Sequence, residues 1–101
     1  MNVDELSSTL AAVASPQRIR ILATLVPGRL HVSELARQVE MSRALLYMHL
    51  AKLEQAGFVG SALELSDDGR ALKFFSLLPF TFTIDAATMV AAVTNHTESE
   101  N

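Results

Sequence analysis

Residues 31–59 read HVSELARQVEMSRALLYMHLAKLEQAGFV, and this stretch decides the fold. Leu35, Ala36 and Val39 share one face of a short helix, with Glu34 placed three residues after His31 to help cap its start. Glu40-Met41 is a tight break. Ser42 then offers the side-chain oxygen that an N-cap needs, and a longer helix runs from it to about Gln55, where Gly57 ends it. Leu46, Leu50 and Leu53 form its buried stripe, which leaves Arg43, Ala44, Tyr47, Met48 and Lys52 on its other faces.

Towards the N-terminus, Leu30 to Val32 makes a short extended segment, preceded by the helix breaker Pro27-Gly28. Ser15-Pro16 pairs a good cap with a good first helical residue, so a helix is expected from Pro16 to about Val26, burying Ile19, Leu22, Ala23 and Val26. Val3, Leu6, Leu10 and Val13 recur at three- and four-residue steps and define a further amphipathic helix from about Val3 to Ala14. Towards the C-terminus, Phe58–Leu65 and Ala71–Leu77 flank a Ser66-Asp67-Asp68-Gly69-Arg70 turn and read as a two-stranded hairpin. Pro79 to Thr83 is extended, and Asp85 to about Thr94 is an alanine-rich helix. The expected architecture is mainly α with a small β-hairpin, a single domain over 1–95 with a disordered polar tail over 96–101.

The formal charge of −3 disfavours a polyanionic partner in total but not in distribution. All eight Lys and Arg, against six of the eleven acids, lie between residues 6 and 84, a local balance of +2. No apolar run approaches the roughly 20 residues of a membrane span. The first ten residues carry two acids and no base, unlike a secretory signal, and the expected location is cytoplasmic. The chain has no cysteine, which removes disulfides, thiolate metal sites and cysteine nucleophiles. Its three histidines, at 31, 49 and 96, accompany no phosphate loop, nucleophile motif or spaced carboxylate pair, so no enzyme activity is expected.

Helices with a short break between the last two, followed by a hairpin, form the winged helix-turn-helix plan. The wording is closer still. Ser15-Pro16 with Arg18, Ile21-Leu22 and Leu25, then Val32 to Ala36, Met41-Ser42, His49-Leu50 with Leu53, and Ala56-Gly57-Phe58-Val59 together resemble the ArsR family of bacterial and archaeal repressors. The resemblance covers about Ser15 to Phe75. It implies a homodimeric regulator, held by its first and last helices, that sets two recognition helices in successive major grooves of a palindromic double-stranded DNA operator. Carried over position by position, the DNA-facing residues are Ser42, Arg43, Ala44, Tyr47 and His49, with Arg70 in the wing. At the position of Tyr47 the family usually has a small hydroxyl residue.

Arg43 lies in the first turn of the recognition helix, where its planar fork can meet guanine O6 and N7. Ser42 is a cap first and a contact second. Tyr47 can donate to DNA or pack on the wing, and His49 can donate to DNA or satisfy a neighbouring backbone group. Lys52, Arg37 and Arg18 are phosphate candidates, or ordinary solubilising charges. Arg70 stands beside Asp67 and Asp68 and can pair with them instead of with phosphate.

The family's metal sites on the last helix use Asp and His ligands. Here only Asp85 and His96 are offered, with Glu98 and Glu100 beyond, and Ala87 stands where a ligand is expected. Asp85 reads instead as a helix-start residue, and neither a metal nor a cofactor is expected. Leu6, Leu10 and Val13 of the first helix with Met89, Val90 and Val93 of the last are the candidate dimer interface. A different reading, a winged-helix module that docks protein partners without binding DNA, is kept open by the acidic total and acidic wing tip. A third keeps DNA binding without ligand control.

Overall fold

In the computed structural model, which describes residues 1–100 with side chains to residue 95, the chain forms five helices and three strands. They run α1 (Val3–Val13), α2 (Pro16–Leu25), β1 (Leu30–His31), α3 (Val32–Val39), α4 (Arg43–Gln55), β2 (Val59–Leu65), β3 (Ala71–Leu77) and α5 (Ala86–Glu100). The expected tail over 96–101 falls outside the residues whose side chains are described.

Local chemistry sets most of the boundaries. Asn2 opens α1 with a reciprocal capping box to Glu5. The Ser15 hydroxyl accepts from the Arg18 amide, and Pro16 occupies the first turn of α2, where its missing N–H costs nothing. Ser42 caps α4 by accepting from the Leu45 amide at 3.2 Å. Gly57, at φ 85°, closes α4 in the left-handed region that favours glycine. Asp85 and Thr88 exchange side-chain bonds with each other's amides at the start of α5, as expected for Asp85. Glu34 does not cap α3. His31 does so itself, its Nδ1 accepting from the Ser33 amide, while Glu34 reaches forward to Arg37 and Gln38.

The hairpin lies where the two runs flanking the Ser66–Arg70 turn put it, with Gly69 at φ 82° in that turn. It gains a third strand. The segment before α3 pairs antiparallel with β3, Leu30 opposite Phe75 and His31 opposite Phe74, giving a sheet of order β1-β3-β2. The extended segment at Leu30–His31 is as expected, but its pairing is not legible in so short a run, since the partner lies more than forty residues away.

Ile21, Leu25, Val32, Leu35, Leu46, Leu50, Leu53, Phe58, Val59 and Phe75 make the core where α2, α3, α4 and the base of the sheet meet. Burying each large side chain contributes about 1.5–3 kcal/mol. The expected face of α2 needs correction. Ile21, Leu22 and Leu25 are buried, whereas Ile19 and Val26 are 56% and 67% exposed and Ala23 is exposed too. The apolar positions of α2 cover more than half of its circumference, so periodicity alone could not choose the flank. The exposed flank borders an apolar groove completed by Val13, Leu77, Phe80 and Phe82. The two phenylalanines are drawn there by Phe58, whose ring meets Phe80 edge-on at 4.7 Å.

Candidate nucleic-acid interface

α3, the Glu40-Met41 break and α4 hold the second helix against the first. Glu40 turns the chain at φ 56°, ψ 48°, and the Met41 amide donates back to the Ala36 carbonyl at 3.0 Å. With Leu46, Leu50 and Leu53 almost wholly buried, α4 has a fixed rotation about its axis. That rotation leaves Arg43, Ala44, Tyr47, Met48 and Ala51 exposed on one side. Arg43 donates to the Ser33 hydroxyl of α3, so its guanidinium is held at the mouth of the helix-turn-helix. Ala44 beside it adds no bulk that would hold a surface away.

Tyr47 is shared with the wing. The residue is 39% exposed, and its ring stands edge-on to Phe75 of β3, with centroids 6.3 Å apart. The Lys73 ammonium lies 5.8 Å from the Tyr47 centroid and 5.4 Å from that of Phe75. Lys73 thus adds a cation beside the exposed face of α4. Sequence reading passed it over because nothing in the order of residues shows that strand β3 returns beside α4. Lys52 is exposed in the last turn of α4, where a cation also complements the helix dipole.

Four of the basic or imidazole candidates are committed elsewhere. His49, expected to face DNA, is only 6% exposed, and its Nδ1 accepts from Arg18 Nε at 3.1 Å. Its position falls beside Leu46 and Leu53 on the inner flank of α4, so it is withdrawn from the DNA-facing set. Arg18, a phosphate candidate, is taken up by that bond and by the Ala11 and Ala12 carbonyls at 3.2 and 3.3 Å. Arg37 pairs with Glu34, whose carboxyl is held at about 2 first by that bond and then by Gln38. In the wing, Arg70 Nε pairs with Asp68 at 3.1 Å, which takes up the cation the tip would offer to phosphate. At the wing's flank Arg29 pairs with Glu64 and lies 4.4 Å over the Phe74 ring, bracing β2 to the segment before α3.

Of the candidate metal ligands, the side chains of His96, Glu98 and Glu100 lie outside the described residues. The Asp85 carboxylate is engaged by the Thr88 amide at 2.8 Å, and no group of three described His, Asp or Glu residues could hold a metal. No helix is long and apolar enough to cross a membrane among the described residues.

A family model described as "Bacterial regulatory protein, arsR family" matches residues 15–61, from the cap of α2 into β2. An uncharacterized HTH-type transcriptional regulator of Methanocaldococcus jannaschii is 39% identical over 74 residues, 73% of this chain and 77% of the relative. The chain belongs to the ArsR family. Solved structures agree on the fold. HlyU from Vibrio cholerae superposes with a TM-score of 0.63 at 24% identity, over 97% of this chain and 95% of its own. The transcriptional repressor BigR from Xylella fastidiosa superposes at 0.62 with 22% identity, over 94% and 86%. This ArsR-family protein is a winged-helix, DNA-binding transcriptional regulator and not an enzyme.

Proposed function

We propose that this ArsR-family chain works as a homodimeric repressor, laying α4 of each protomer in successive major grooves of a palindromic operator. The observation that carries the reading is the exposed side of α4. Arg43 sits in the first turn, where recognition helices meet base edges, and is tethered to α3 by Ser33. Ala44 next to it can meet a thymine methyl, and Tyr47 presents a part-exposed ring edge. Lys52 and Lys73 are the proposed phosphate contacts, and the Ser42 hydroxyl is spent first on its cap. The Asp68-paired Arg70 is left out of the contact set.

A dimer is supported by what the protomer leaves bare. Met89, Val90 and Val93 of α5 are 50–65% exposed in one row, while Leu6, Leu10 and Val13 of α1 are half-buried, Leu6 beside α5 and Val13 in the groove beside α2. Repression then follows from occupancy, since a dimer filling two grooves excludes other proteins from the same DNA.

The test is fluorescence anisotropy with DNA from upstream of the protein's own gene, comparing the wild type with Arg43→Ala and Tyr47→Ala. Arg43→Ala should cost about 1–3 kcal/mol and relax the preference for one base position. Wild-type binding should weaken steeply with added salt. Equal affinity for operator and random DNA, or variants indistinguishable from wild type, would remove the base-contact assignment. Salt-insensitive capture of a protein partner would favour the docking-module reading.

A further inference from the structure

Arg18 ties three helices together. It grows from the first turn of α2, its Nη1 donates to the last carbonyls of α1 at Ala11 and Ala12, and its Nε donates to His49 of α4. The carbonyl end of a helix is a fitting place for a guanidinium, because the free C=O groups there carry partial negative charge. The bond to His49 has a stricter requirement. An imidazole nitrogen accepts only when it bears no proton, so the ring proton of neutral His49 must be on Nε2. Nε2 is buried and meets no acceptor among the described residues, so no carboxylate is there to stabilise a second proton.

Adding that proton would place an N–H of the imidazolium opposite the N–H of Arg18, donor against donor and cation against cation. The hydrogen bond and the charged ring exclude each other. Of the elements packed on α4, α2 presents Arg18. Among the described residues no charged group of α1, α3 or β2 acts on the ring. Burial first, and the Arg18 charge second, hold the imidazole below its ordinary 6.5.

We infer that Arg18 is a positioning residue for DNA recognition: it staples α4 to the end of α1 through His49, and it does so only while that imidazole is neutral. The inference rests on α4 being the recognition helix. Since α1 packs on α5, whose bare row is the proposed dimer interface, the staple also links the seat of α4 to the interface that spaces two half-sites. Neither residue needs to touch DNA. The sign is fixed by the lowered value: the staple is complete above about pH 6.5 and is lost as pH falls through the folded-state value.

Two measurements test this on the full chain. In nitrogen-15 spectra without DNA, His49 should show the Nε2–H tautomer and titrate below about 6.5. A ring protonated on Nδ1 at neutral pH would overturn the staple, whether or not an operator is found. In operator titrations at constant ionic strength, wild-type affinity should fall as pH drops through the folded-state value, by up to about tenfold per pH unit below it. His49→Gln keeps an acceptor for Arg18 but cannot be protonated, and its profile should be flat over the same range. His49→Leu, of similar bulk but with no acceptor, should bind weakly at every pH. A His49→Gln profile as steep as that of the wild type would overturn the coupling.

Discussion

Glu40 holds a left-handed backbone without being glycine, at φ 56° and ψ 48°, and it does so at the turn that aims α4. The strain is tolerated because its neighbours fix the geometry: the Glu40 amide donates to Ala36 and Arg37, and the Met41 amide donates to Ala36. A side chain in this conformation costs about 1–2 kcal/mol, part of which glycine gives back as unfolded-state entropy. Glu40→Gly should therefore raise stability by about 0.5–1 kcal/mol, read as a higher urea midpoint with an unchanged slope. A lower midpoint would mean that the exposed Glu40 side chain makes a contribution larger than the strain. The same position shows what order alone conveys. A tight break between Val39 and Ser42 was plain from the caps and the apolar spacing, but nothing in Glu-Met announces a left-handed residue. His49 was harder still. Its place three residues after Leu46 lies on the flank where buried and exposed positions meet, and Arg18, thirty-one residues upstream, decides the matter.

Helices and strands were more legible than single side chains where their pattern was narrow. α4 has one leucine stripe that spacing identifies, with only His49 at its edge left unassigned to the core, while α2 is apolar around more than half of its circumference and its spacing points to the wrong flank. The wing strands were placed within a residue, yet their role could not be, because β3 acquires it only by lying beside α4. Lys73 is the example. Its ammonium sits over both Tyr47 and Phe75, and a cation held there adds positive charge next to the proposed groove-facing side without reading any base. Lys73→Ala should weaken binding to operator and to random DNA by the same factor and reduce the salt slope by about one. Arg43→Ala, by contrast, should narrow the gap between the two DNAs. If Lys73→Ala changes sequence preference instead, its effect is transmitted through Tyr47, and the lysine acts on base readout after all.

The chain's dimensions suit the proposed dimer. Its radius of gyration is 16.5 Å and its extents are 55 × 25 × 23 Å, whereas a compact domain of this length has a radius near 13 Å. α5 buries little of its apolar surface on its own chain: Ala92 is buried, but Met89, Val90 and Val93 are not. Isolated exposed aliphatic residues need no explanation, but three in a row on the outer side of a helix packed against α1 form a contiguous patch of the kind that marks an interface. A second copy related by a two-fold axis would cover this row with its own, since such an interface uses the same patch on both partners. Val90→Glu with Val93→Glu should then give a folded monomer in sedimentation velocity, with helical circular dichroism retained because neither side chain enters the core. The same double variant should bind a full palindromic operator at least about 100-fold more weakly, because the second half-site is no longer reached at high effective concentration. Binding to an isolated half-site should change little beyond the weak repulsion of two added carboxylates. A double variant that still sediments as a dimer would move the interface to the apolar groove beside α2, where Ile19, Val26, Phe80 and Phe82 are exposed.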